Sequence, residues 1–350
     1  MSEDVWSARD TNPDAIEAAL RELLRERHAA NRALAPARVL NFVVIVDREW
    51  KGEIANRLDR VGRYHASRTV LCAVEDGRRT LDARAVMSYE EPKGSSIGVM
   101  RERVEIDVGP GHLPGLDTIV DPILVSELPT VVWSPHGHDE AVDALIGMID
   151  VMLLDSDDVP DADAAFARAV QLLDVAYVVD LAWLRTTPWR ERLAASFDPP
   201  ERLAMLRRLG GLAVRHRGTS AASALLLAGW LCSRLGWEPG RLESAAGSVL
   251  RGTARRNGTE VSVSLEPADQ DVPGLAGVSV WSDDEFSLSL DRARGGLSAR
   301  QRVGGDEQVW QILGASRGEG GILGEGVRQA LLRDPTYGPA LQAARALCRA

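Results

Sequence analysis

Apolar positions along this chain switch repeatedly between helical and extended spacing. After Asn12-Pro13-Asp14, residues Ile16, Leu20, Leu23 and Leu24 recur at intervals of three and four through AIEAALRELLRER, which predicts a helix with one buried face. RVLNFVVIV (38–46) is a continuous apolar run suited to a strand covered on both sides. WKGEIANRLDRVG (50–62) returns to helical spacing, and RTVLCAVE (68–75) is a second buried strand. Strand, helix and strand in that order predict a right-handed βαβ unit with parallel strands.

RRTLDARAVMSY (78–89) and VMRERVEIDVG (99–109) show period-two alternation instead, with Val104, Ile106 and Val108 on one face, and predict antiparallel edge strands of a mixed sheet. LPGLDTIVDPILVSELP (113–129) predicts a helix after Pro114, broken near Pro122. TVVWS (130–134), DEAVDALIGM and DVMLLDS (150–156) then read as strand, helix and strand, and residues 160–209 as largely helical. LAVRHRG (212–218) leads into the helix TSAASALLLAGWLCSRLGW, with Thr219 or Ser220 as N-cap and Gly236 near its end. Beyond residue 248 the alternation of VLRGTARR, TEVSVSLEP, GVSVWSD, EFSLSLDR and LSARQRVG predicts an antiparallel meander with turns at Asn257-Gly258, Asp283-Asp284 and Gly295-Gly296. A glycine-rich link (318–326) and helices at 326–333 and 337–348 close the chain.

The expected fold class is therefore α/β, α+β overall: a mixed, partly parallel sheet domain with helices, plus a second domain of helices and antiparallel sheet. The expected boundaries are 1–160 for the first, 161–210 for a helical connecting segment and 211–350 for the second. At 350 residues, two cores are the natural expectation.

A net charge of −10 disfavours nucleic acid and anionic membrane surfaces as partners. The polar, acidic N-terminus lacks the character of a signal peptide, and the most apolar run, 220–232, is shorter than the ~20 residues of a span. Cys72, Cys232 and Cys348 form neither a CxxC pair nor a zinc spacing. A reduced, cytoplasmic protein is the expectation.

After the first buried strand come Asp47-Arg48-Glu49-Trp50, where a dinucleotide fingerprint would need glycines. GEGGILGEG lacks the lysine and hydroxyl of a phosphate loop and reads as a flexible linker; no cofactor is expected. In HASRTV (65–70), Arg68 lies at the amino end of a strand, away from the ligand crevice of an open sheet, and is expected to pair with an acid or a partner. The carboxyl edge collects Asp47, His136, His138 and Asp155. These four are the alternative ligand edge, on which the chain would be a small-molecule- or metal-binding α/β protein or a hydrolase: imidazoles in a HxH arrangement suit a divalent metal, and the same residues also read as solvated loop. Asp157 or Asp158 is a candidate cap for the helix after Pro160.

Tryptophan is unusual here: nine, against four phenylalanines and four tyrosines. Two of them flank a Thr-Thr-Pro break in DLAWLRTTPWRERLAASFD (180–198). Thr187-Pro188 predicts an N-cap followed by proline at the first helical position, which puts Trp189 and Arg190 in the first turn of a new helix. Arg190 there opposes the helix dipole and is expected to seek an external or tertiary acid. Trp183 is assigned to the core; Pro188, Trp189, Arg190, Arg185 and Arg68 are the candidate partner-facing set.

HASRTV, SELPTVVWSP, DVMLLDS, DLAWLRTTPWRERLAASFD and AGWLCSRLGW occur in an order that resembles the glucose-6-phosphate dehydrogenase assembly protein family, also called OpcA. The likeness extends from about residue 35 to the C-terminal helices, and DLxWxRxTPWRExxAxxFD is its best signal. The resemblance implies a non-catalytic protein that associates with glucose-6-phosphate dehydrogenase, promotes its assembly or activity, and so supports NADPH production by the oxidative pentose phosphate pathway. Some members look like redox-linked activators; the placing of the three cysteines here does not suit a thiol switch.

Overall fold

The computed structural model describes residues 2–30, 38–61, 66–89, 100–283, 286–314, 319–330 and 332–349; Gly62, His65, Val99, Asp284, Glu285 and Gly318 of the stretches quoted above, and Leu331 of the expected helix 326–333, lie outside these. The chain forms two compact units. The first comprises residues 1–154, 175–179 and 323–332, the second residues 155–174, 180–322 and 333–350.

In the first unit, β1 (Ser2–Ala8), α1 (Pro13–Ala30), β2 (Leu40–Asp47), α2 (Lys51–Val61), β3 (Ser67–Val74), β4 (Asp82–Tyr89), β5 (Met100–Val108), α3 (Leu116–Val120), β6 (Thr130–Trp133), α4 (Asp139–Leu145) and β7 (Val151–Leu154) follow one another. With β8 (Tyr177–Asp180) the strands form a mixed sheet in the order β1-β4-β5-β3-β2-β6-β7-β8. The expected βαβ unit is present: β2 and β3 are parallel, and Phe42 to Val46 and Val70 to Ala73 are buried. Asn12 starts α1, its Oδ1 accepting from the Ala15 N–H at 2.9 Å.

Two strands depart from expectation. β5 pairs antiparallel with β4 but also parallel with β3, so it is an interior strand. Its alternation looked like an edge because its polar face is matched by charge: Lys51 Nζ on α2 lies 2.7 Å from Asp107 and 3.3 Å from Glu105. β4 is interior too, flanked by β5 and β1, and among the described residues the edge is β1, the acidic stretch SEDVWSA.

The second unit contains α5 (Ala162–Leu173), α6 (Leu181–Ala195), α7 (Pro200–Leu206), β9 (Leu209–Arg217), α8 (Ala221–Leu235), the short β10 (Glu238–Pro239) and β11 (Glu243–Ser244), β12 (Leu250–Arg256), β13 (Thr259–Ala268), β14 (Leu275–Ser282), β15 (Phe286–Ala293), β16 (Gly296–Val303) and β17 (Asp306–Leu313). The order is β10-β12-β13-β9-β14-β15-β16-β17, with β11 also on β12. The meander is thus split by β9, which runs parallel to β13 and antiparallel to β14. Asn257 and Gly258 both have positive φ, as a two-residue hairpin turn requires. Gly236 ends α8 in the left-handed region at φ 64°.

α9 (Glu319–Gln329) and α10 (Tyr337–Cys348) complete the chain. The glycine-rich stretch read as a linker is therefore helical. Burial of Ile322, Leu323 and Val327 outweighs a helix penalty of about 1 kcal/mol per glycine.

Candidate functional site

The motif 180–198 is one helix. α6 begins at Asp180, whose carboxylate accepts from the Ala182 N–H at 2.9 Å, and continues through Pro188 to Ala195. The expected break and new N-cap at Thr187-Pro188 do not occur. Proline removes one backbone donor inside the helix, and Thr186 bonds back one turn, donating from Oγ1 to the Trp183 carbonyl at 2.7 Å. Leu181, Ala182, Trp183, Leu184, Thr186, Trp189 and Leu193 are all buried. A helix enclosed on this many sides is held by packing, which is why a proline in its middle is tolerated.

Around its first turn three carboxylates gather, two of them beside one guanidinium. Arg185 grips Asp155 with two parallel hydrogen bonds of 2.8 and 2.6 Å and lies 3.8 Å from Asp157. Asp157 accepts from the Ser223 N–H at 3.0 Å and from the Ser223 hydroxyl at 2.5 Å. Ser223 lies in the first turn of α8, so Asp157 caps that helix from a distance. The local residue Ser220 does not; its hydroxyl accepts from the Gly274 N–H. Asp180 accepts from the N–H and hydroxyl of Ser156 at 3.1 and 2.6 Å and from the Tyr337 hydroxyl at 3.1 Å. The helix after Pro160 is capped by Asp161, not by Asp157 or Asp158.

Burial, reinforced by the nearby Asp155 charge, pushes Asp157 up to about 6 and Asp180 up to about 7. Burial and the neighbouring charge thus let Asp157 and Asp180 retain protons well above the ordinary carboxylate range.

One turn further, Arg190 lies flat on Trp183, its guanidinium carbon 3.5 Å from the ring centroid, and donates to the hydroxyls of Thr186 and Thr187 at 2.9 and 3.0 Å. Desolvation lowers its pKa to about 10. Its acid is tertiary: Asp334, 3.8 Å away, which also accepts from Trp183 Nε1 at 2.9 Å. Desolvation works to raise the Asp334 carboxyl, but bonds from Thr336 and Trp183 and the charge of Arg190 hold it below its usual value. Trp183 is in the core, as expected. Trp189 is there too, 1% exposed, with the Arg292 guanidinium 5.9 Å from its ring.

Arg68, 7% exposed, donates to Glu102 at 2.9 Å and to the Ile123 carbonyl at 2.8 Å within the first unit. In that unit the ends of β2 and β6 bring Asp47, His136 and His138 together. His138 Nε2 is 3.0 Å from Asp47 Oδ1, and His136 Nδ1 accepts from the Asp47 N–H at 2.9 Å. That ring nitrogen is therefore engaged, and among the described residues no group of three or more His, Cys, Asp and Glu side chains is arranged to hold a metal ion. Partial desolvation lowers the His136 pKa. Asp155 is not part of this cluster; it belongs to the second unit and is closed by Arg185.

The exposed side of α6 leads into an open cleft of about 390 Å³ lined by Arg192, Ser196, Arg202, Gln308 and Trp310. Neither the cleft nor the polar cluster is signalled by spacing, because each gathers side chains from distant segments. Only Asp180, an acid immediately before an apolar helical run, carried a local sign of its capping role.

Two family descriptions, the N-terminal domain and the C-terminal domain of a "Glucose-6-phosphate dehydrogenase subunit", match residues 58–171 and 176–341 respectively. A protein of Synechococcus elongatus named "Putative OxPP cycle protein OpcA" is 31% identical over 214 residues, covering 59% of this chain and 48% of that protein. Its namesake in Synechocystis sp. is 29% identical over 125 residues, 35% of this chain and 26% of that protein. The chain thus spans about half the length or less of the curated relatives it matches. Among solved structures, KijD10, a 3-ketoreductase from Actinomadura kijaniata, superposes with a TM-score of 0.48 at 10% identity, over 87% of this chain and 95% of that one; at this score it carries no argument about activity. The two family matches follow each other in order across most of the sequence, and the chain belongs to the OpcA family of glucose-6-phosphate dehydrogenase subunits.

Proposed function

We propose that this protein is a non-catalytic assembly or activator subunit of glucose-6-phosphate dehydrogenase, acting in the cytoplasm to support the oxidative pentose phosphate pathway and its NADPH supply. The family membership supports the partner. The observation that carries the non-catalytic reading is the closure of the polar groups of α6. Asp155 is held bidentately by Arg185, Asp157 by Ser223, Asp180 by Ser156 and Tyr337, and Arg190 by Trp183 and two threonines. Side chains bonded in this way brace a shape. The thiols fit the same reading, since burial pushes Cys72, Cys232 and Cys348 all up to about 12, far from a reactive thiolate.

A braced protein of this kind acts on an enzyme by binding one of its states more tightly than another. Pro188, Trp189, Arg190 and Arg185 serve such binding by fixing α6, and contact falls to its exposed side, to Arg192 and the cleft with Trp310. Arginine and tryptophan are the residues most enriched among interface anchors.

The test is to purify the cognate dehydrogenase and compare its elution, oligomeric state and kinetics with and without this protein. Co-elution with a change in kcat/KM or in oligomeric state is expected; no complex and no kinetic effect would overturn the proposal. Arg192→Glu is expected to weaken the complex about tenfold with an unchanged unfolding midpoint.

A further inference from the structure

The sheet of the second unit has one apolar and one polar face. Val263, Val214, Val280 and Leu288 belong to the apolar face and are buried. The residues alternating with them form an open face whose centre is small and flat: Ser264, Ala213, Ser279 and Ser289 lie side by side on β13, β9, β14 and β15. The larger groups near this centre lie down along the sheet. Trp281 covers Gly211 so closely that a Cβ there would sit 2.1 Å from the ring. Arg215 reaches across Gly277 to Asp291 at 2.7 Å, and the Ser279 and Ser289 hydroxyls bond each other at 3.0 Å.

The charges on this face fall in a pattern about β14. Three strands to one side is β12, with Arg251 and Arg255; three to the other is β17, with Glu307. Two strands to either side are β13, with Glu260 and Glu266, and β16, with Arg300 and Arg302. The nearest neighbours are β9, with Arg215 and Arg217, and β15, with Asp291. Every basic strand has an acidic strand at the same distance on the opposite side.

We propose that this face packs against the same face of a second copy of the chain, with the two-fold axis running along β14. Such an axis sets each strand opposite the strand equally far on the other side, so β13 meets β16, β12 meets β17 and β9 meets β15, acid against base at each pairing. Ser279 meets its own copy on the axis. The chain carries a net charge of −10, but these six strands bring six arginines and four acids to the face, so two copies meet here without the repulsion of their bulk charge. With strands about 4.8 Å apart and a rise of about 3.4 Å per residue, the face measures about 29 by 24 Å, or ~700 Å², close to the ~800 Å² that each partner contributes to a standard interface. Aligned sheet-on-sheet packing is the general form of such a contact.

The purified chain is expected to sediment as a dimer at tens of micromolar. Ser279→Glu, which sets like charges together on the axis, is expected to weaken the dimer by about a hundredfold or more while circular dichroism stays unchanged. Replacing Arg300 and Arg302 by glutamate is expected to do the same, and adding Glu260→Arg and Glu266→Arg to that variant to restore the dimer. A monomeric wild type overturns the proposal, including one whose only partner through this face is the dehydrogenase. So does a dimer indifferent to Ser279→Glu with the fold retained. Should Ser279→Glu fail to fold, the reciprocal charge exchange decides, and failure to restore the dimer counts against it.

Discussion

Acids at strand ends meet different fates in the two units. Asp47, ending β2, keeps 45% of its side chain in solvent and touches two histidines. Asp155 and Asp157, which follow β7, keep 4% and 8%, and Asp180, ending β8, is fully buried. In the first unit water solvates the carboxylate and the imidazoles add little. In the second, protein donors must replace water, and a whole helix is organised around supplying them. The same residue type in the same kind of place is thus surface chemistry in one unit and a structural keystone in the other. Desolvation makes the difference.

The largest effects are expected where packing and charge are both enclosed. Trp189→Ala, at a fully buried ring, is expected to destabilise the second unit by about 3–5 kcal/mol. Arg185→Ala, which leaves Asp155 buried without its partner, is expected to cost a similar ~3–5 kcal/mol. Urea unfolding followed by fluorescence and circular dichroism measures both. If either variant unfolds within about 0.5 kcal/mol of wild type, the enclosed cluster is not the brace described above. Replacing Arg185 and Asp155 together by Met and Leu is expected to cost less than Arg185→Ala alone, because no orphan charge is left.

The second effect is a pH dependence. Asp157 and Asp180 have folded pKa values of about 6 and 7, above the ordinary 3.8. Between those limits the folded state binds more protons than the unfolded one, so their contribution is fully present below about pH 4 and is lost as pH rises through 6 and 7. Asp180→Asn keeps a side chain able to cap α6 and removes the titration. Its stability relative to wild type is therefore expected to improve from pH 5 to pH 8, and a difference constant with pH would show that Asp180 does not titrate in this window. Taking the difference also cancels His216, whose burial lowers its own pKa and which weakens the same unit in acid.

These contrasts were unevenly legible in the sequence. The buried strands β2, β3 and β6 announced themselves as unbroken apolar runs, α1 by its Asn12 cap and the end of α8 by Gly236, because such signals are local. β8 was hidden because YVVD is only four residues between two helices. β1 was hidden because an edge strand need not be apolar: Val5 is 46% exposed. At Thr187-Pro188 the local signal was real but lost to packing, since seven buried side chains on α6 outweigh one proline. The polar cluster left almost no trace, because Asp157, Asp180, Ser223 and Tyr337 meet only once α6, α8 and α10 have packed.

A smaller effect is expected at the cation–aromatic stack. Arg190→Lys keeps the charge but not the flat guanidinium over Trp183 or the two bonds to Thr186 and Thr187, and is expected to cost ~1–2 kcal/mol. Trp183 emission is expected to shift with it, since Nε1 still bonds Asp334 while the ring loses its cover. An unchanged spectrum and midpoint would place Arg190 outside the brace.

The smallest effect is expected at the exposed end of the comparison. His138→Ala removes one side of a contact with a carboxylate that is nearly half in water, and such pairs contribute roughly 0–1 kcal/mol. A change within about 0.5 kcal/mol at pH 8 is the expected outcome. Its neighbour supplies the sharper test. The His136 pKa is lowered by desolvation, so the folded state prefers the neutral ring. That preference contributes stability above about pH 6.5 and loses it as pH falls through the depressed folded value, opposite in sign to Asp157 and Asp180. His136→Gln is therefore expected to flatten the acid limb of the first unit while leaving the neutral limb of the second unchanged. A loss of several kcal/mol from either histidine would mean that Asp47 is held as tightly as the buried acids, and the distinction between the two strand ends would fail.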